Sequence, residues 1–149
     1  MKRIFVAATL AASLVATAAV AATLPSLARF SYVGSLTVTD KSSPIAGVHH
    51  FYANAAAKKA LSKGGPFPVG AEFRGRLYEA EQNEFGVVAG KITLTTVMKK
   101  EPAAADTGGW AFSVVTPDGK SPKLDVKTAC FQCHQKAQAT DFVFSKALP

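Results

Sequence analysis

Cys130-Phe131-Gln132-Cys133-His134 has the C-x-x-C-H spacing of covalent c-type haem attachment. Each thiol must reach one haem vinyl group to form a thioether, and the imidazole must reach the iron from the same side. Positions i, i+3 and i+4 of a helix lie on one face, so Cys130, Cys133 and His134 project together. The spacing predicts a helix from about Val126 to Ala137, with Cys130, Cys133 and His134 binding the cofactor and His134 ligating its metal. Other readings of these residues stand beside this one. A disulfide or thioredoxin-like pair normally opens a helix inside a βαβ unit, and no such unit is visible. A zinc site would need a fourth ligand, and adjacent Cys133 and His134 are awkward as two corners of one tetrahedron. The third is a chance match.

The N-terminus bears on the motif. Lys2 and Arg3 precede an apolar run from Ile4 to Val20, and Ala19-Val20-Ala21 is a small-x-small cleavage site. Residues 1–21 therefore read as a secretory signal peptide, with cleavage before Ala22 or Thr23, and residues 22–149 as one domain. A membrane anchor is the competing reading, but the run is short and Ala-rich and no stop-transfer flank follows. Periplasmic export suits c-type attachment, which bacteria complete outside the cytoplasm. It also brings the two cysteines into an oxidising compartment.

The exported chain of about 127 residues can close one core. The formal charge of +7 includes Lys2 and Arg3, which leaves about +5 after cleavage. No Lys/Arg stripe interleaves with aromatics, so nucleic acid is excluded as a partner, while an acidic redox partner protein fits the mild positive charge. After cleavage, no run is long enough to span a bilayer.

Strand and turn signals fill the chain ahead of the motif. Pro25 to Phe30 reads as a short helix, with Leu24, Leu27 and Phe30 at helical spacing. Tyr32 to Val38 is extended, and Asp40 to Pro44 is a loop. Ile45 to Ala53 alternates as a strand, with His49, Phe51 and Ala53 on one face and Val48, His50 and Tyr52 on the other. Asn54 caps an Ala-rich helix through Leu61, ended by Gly64-Gly65-Pro66. Glu72 to Glu81 is a second strand, Asn83 to Phe85 a turn, and Val87 to Lys99 the longest strand, with Val88, Ile92, Leu94 and Thr96 on one face. Trp110 to Thr116 is another, with Trp110, Phe112 and Val114 together. Phe142 and Phe144 flank Val143 in an extended tail. The fold class is α+β: a β-sheet with a few helices and the motif helix near the C-terminus.

A late motif on a strand-rich chain differs from small helical c-type cytochromes, and no methionine follows it as a second axial ligand. The chain resembles the cytochrome P-460 family, which includes the cytochromes c-prime-beta. The matching pieces are His50-Phe51-Tyr52-Ala53-Asn54 with its Ala-rich helix, and Gly65-Pro66-Phe67-Pro68 with Gly70. Gly109-Trp110-Ala111-Phe112 and Cys130 to His134 followed by Asp141-Phe142-Val143-Phe144 complete the series. The resemblance implies an antiparallel sheet, one covalent haem c per chain, a homodimer, and His134 as proximal ligand beneath an open distal face. Hydroxylamine-oxidising members carry a haem-linked lysine and a distal carboxylate. Those positions fall near Gly75 and Thr95 here, and Phe73 to Leu77 contains no lysine. The expected role is therefore uptake of a small diatomic gas such as nitric oxide, with hydroxylamine oxidation and electron transfer as alternatives. An enzymatic role is left open.

Phe51, Phe67 and Phe73 are the candidates to roof the distal pocket, with Arg74 and Arg76 as donors beside it; each has an ordinary core or surface role as its competitor. His49, His50 and Met98 are the protein groups able to fill the sixth position.

Overall fold

The computed structural model of the chain describes residues 24–43 and 45–144. The signal-peptide reading of residues 1–21 lies outside them. Five antiparallel strands, β1 (Ser31–Val38), β2 (Gly47–Ala53), β3 (Glu72–Asn83), β4 (Gly86–Lys100) and β5 (Trp110–Val115), form one sheet in the order β1-β2-β3-β4-β5. Every strand pairs with its neighbour in sequence. Helix α1 (Ala55–Leu61) links β2 to β3, and the motif segment follows β5. The fold is α+β, as the alternating strand patterns lead one to expect. Among the described residues no helix is long and apolar enough to cross a membrane.

Residues opposite one another in an antiparallel ladder share a face. Ala53, Phe73, Met98 and Phe112 make one cross-strand row, and Gly34, Phe51, Gly75, Thr96 and Val114 make the next row on the same, front face. On the back face, Ser35, His50, Arg76, Thr95 and Val115 align. Helix α1 and the C-terminal segment cover one end of the front face. The core there contains Ala53, Ala57, Ala60, Phe67, Ala71, Met98, Trp110 and Val143.

Asn54 joins the helix to the sheet. Its Oδ1 accepts from Ala57 N at 2.9 Å, capping α1, and from Glu72 N at 3.2 Å, while its Nδ2 donates to Gly70 O at 2.8 Å. Asn54→Ala is expected to cost about 1–2 kcal/mol, the upper range for a lost helix cap, because two further bonds go with it. Urea unfolding checks this; a loss within a few tenths of a kcal/mol would refute it.

Four sequence expectations change. Pro25 to Phe30 forms only a turn, closed by Phe30 N donating to Leu27 O at 2.9 Å. Six residues are too few to sustain an isolated helix, and Arg74 instead fixes the segment by stacking 4.0 Å from the Phe30 ring centroid and donating to Ser26 O. The strand expected from Ile45 begins at Gly47, because Ala46 N closes a turn onto Ser43 O. The regular alternation expected along β4 breaks at Thr93: Leu77 pairs with Leu94 but Tyr78 pairs with Ile92, which leaves Thr93 as an extra residue. The tail expected to be extended is a turn instead, with Asp141 and Phe142 at φ 54° and 64°.

Candidate haem site

Residues 127–140 are helical with changing pitch: a π-helical turn Lys127–Phe131, the short α2 (Gln132–His134), and a 3-10 stretch Gln135–Thr140 that is kinked at Ala137, where φ is −105° and ψ 24°. It covers the helix expected from about Val126 to Ala137, which ends at the kink, and a further short turn follows. Wide π turns recur at functional sites, and Cys130 lies in this one. Both cysteines are free thiols, with Cys130 half-buried and Cys133 exposed. Burial pushes the Cys130 thiol above its ordinary range, which disfavours a thiolate there. Among the described residues no group of three or more His, Cys, Asp or Glu side chains is placed to hold a metal ion, and a zinc site gains no support.

His134 packs against Phe112 on the front face, with ring centroids 5.3 Å apart, and against Phe144, also at 5.3 Å. Its Nδ1 lies 2.7 Å from the carbonyl of Phe142. A carbonyl can only accept, so Nδ1 carries the proton and the lone pair is on Nε2. Burial also holds the imidazole pKa below its ordinary value, against the smaller opposing effect of that hydrogen bond. The neutral tautomer is thus set, with its outer nitrogen able to ligate a metal.

About 7 Å further along β5, two residues on, the row containing Phe51, Gly75, Thr96 and Val114 begins. It is a shelf of small and apolar side chains. A Cβ at Gly75 would meet Thr96 Oγ1 at 2.5 Å and Phe51 Cδ1 at 3.6 Å, so this spot is kept flat. Leu36, 40% exposed, extends the same face at the sheet edge. A flat apolar shelf beside a helix bearing two thiols and a neutral imidazole fits a planar macrocycle with a central metal.

Not every residue singled out from sequence belongs to this shelf. Phe51 does, half-buried and stacked 5.9 Å from His49. Phe67 and Phe73 lie in the core, 5.6 and 6.1 Å from the Trp110 ring. Arg74 and Arg76 stand on the back face: Arg74 pairs with Glu72 at 2.7 Å, and Arg76 aligns with His50 and Thr95. They are on the opposite side of the sheet from Phe51. The cross-strand neighbour of Gly75 is Thr96; Thr95 is fully buried on the back face. Of the three sixth-ligand candidates, His50 is on the back face, Met98 is packed in the core, and His49 has its Nε2 2.7 Å from Ile45 O.

Sequence reasoning placed Asp141 and Phe142 in the C-terminal haem signature but missed the turn they make and its contact with His134. Positive φ at two residues that are not glycine has no composition signal, and only the Asp of Asp141-Phe142 hinted at a turn.

Fold and site together define an α+β domain in which a C-terminal C-x-x-C-H helix packs on one face of an antiparallel sheet. The family model for cytochrome P460 matches residues 29–145, and the chain belongs to that family, a family of haem cytochromes. No curated protein matches the chain.

Proposed function

We propose that this chain is an exported c-type cytochrome whose single haem is held by thioethers from Cys130 and Cys133, with His134 as proximal ligand and the sixth position open to nitric oxide or a similar diatomic gas. The observation that carries the reading is the placement of the competing ligands. His50 and the arginines face away, Met98 is in the core, and the next row along the front face from the Phe112 on which His134 packs presents Phe51, Gly75 and Val114. When bound, haem supplies an iron that takes up a gas ligand. The chain contributes the rest: Phe142 O fixes the His134 tautomer, Phe51 and Val114 exclude water and bulky anions, and Gly75 keeps the shelf clear.

Hydroxylamine oxidation would need a lysine bonded to the ring. Gly75 supplies no amine, and Lys100, a front-face lysine one row beyond Met98, is paired with Asp141 at 2.6 Å. Periplasmic location, a homodimer and a redox partner protein belong to the same proposal.

Absorption spectra of ferric and ferrous protein, before and after nitric oxide, test it. A high-spin ferrous spectrum that shifts on adding the gas is expected. A low-spin spectrum unmoved by nitric oxide would favour electron transfer, and a ferrous Soret band displaced far to the red would favour a lysine cross-link and hydroxylamine chemistry.

A further inference from the structure

We propose that Asp141 is a positioning residue for His134: with Lys100 and Trp110 it holds the Asp141–Phe142 backbone so that the Phe142 carbonyl meets His134 Nδ1, and it thereby sets how strongly Nε2 binds iron. Asp141 and Phe142 both have left-handed backbones, φ 54° and 64°. A bulky side chain such as Phe is rarely found there, so the conformation must be imposed by its surroundings.

Asp141 is anchored from three directions. Its Oδ1 accepts from Lys100 Nζ at 2.6 Å, its Oδ2 from Phe67 N at 3.0 Å, and its backbone carbonyl from Trp110 Nε1 at 2.9 Å. The Lys100 ammonium also donates to Gly108 O at 3.0 Å and sits 4.9 Å from the Trp110 ring centroid, so the cation is itself fixed. Phe142 N donates to Ala137 O at 2.8 Å. The Phe142 ring lies so close to Gly108 that a Cβ there would be 2.3 Å from Phe142 Cε2. These contacts leave the Phe142 carbonyl little freedom, and it ends 2.7 Å from His134 Nδ1. One continuous chain of contacts therefore runs from the ends of β4 and β5 to a single imidazole nitrogen.

A carbonyl accepting from Nδ1–H raises the basicity of the other nitrogen and so strengthens its bond to a metal, most of all to the more charged ferric state. Loosening the carbonyl is expected to weaken that bond and favour ferrous iron. The inference rests on His134 being the iron ligand.

The test uses the haem-loaded protein and reads the ferrous iron–histidine stretch by resonance Raman together with the reduction potential. The stretch is expected to fall from the parent through Asp141→Asn to Asp141→Ala. The potential is expected to rise, by as much as a tenfold change in the ferric-to-ferrous ratio, about 59 mV for one electron. Lys100→Met is expected to move both in the same direction and decides the matter where Asp141→Ala does not fold. Variants with lower stability but the parental stretch and potential would overturn the proposal, reducing Asp141 to a structural staple. A His134→Ala protein that keeps the parental spectrum would sink the underlying ligand assignment instead, whatever the Asp141 variants do.

Discussion

Alanine at both Cys130 and Cys133 is expected to abolish haem retention on a denaturing gel, with the haem stain lost and the chain mass lowered by one haem. Two thioethers at these positions would be the only covalent links, and an imidazole–iron bond from His134 does not survive unfolding. Cys133→Ala alone is expected to keep a stained band, because one thioether suffices to hold the group. The thiols are available for the chemistry: neither is in a disulfide, Cys133 is exposed and Cys130 is half-buried. Haem still bound covalently in the double variant would place the link on another side chain, a lysine first. A parent chain without the mass of a haem would end the attachment reading altogether.

The largest stability effect is expected at Trp110. It is fully buried, its ring contacts those of Phe67 and Phe73, and its indole N–H donates to Asp141 O. Trp110→Ala is expected to cost about 3–5 kcal/mol, the range for truncating a core aromatic. That is a large share of the roughly 5–15 kcal/mol by which domains are stable. Trp110→Phe keeps most of the apolar ring and is expected to lose less. Denaturant unfolding followed by far-UV circular dichroism measures both. A cost under about 1 kcal/mol for Trp110→Ala, that of an ordinary substitution, would show that the front-face core does not depend on this ring.

Much of this fold was legible because its signals are local. The alternation in His49-His50-Phe51-Tyr52-Ala53, the cap at Asn54 and the C-x-x-C-H spacing each state their role within a few residues. Cross-strand facts were not. Whether Arg74 and Arg76 stand beside Phe51 depends on the register of β2 against β3, which pairs Phe51 with Gly75 and so turns both arginines to the back. The same parity makes Thr96, not Thr95, the neighbour of Gly75. A one-residue uncertainty in alignment is enough to exchange faces. The turn at Asp141–Phe142 was hidden for another reason. It is held by Lys100 and Trp110, 41 and 31 residues earlier in the chain, and no window of local sequence contains that information.

Trp110 is the chain's one tryptophan, so its emission reports on a single place. That place is where the C-terminal segment is tied to the sheet, two residues before the ring that packs on His134. Buried emission is blue-shifted, and a haem on His134 would quench it by energy transfer. Fluorescence recovering and moving to the red as denaturant is added would then time the release of the motif helix from the sheet, with no label introduced.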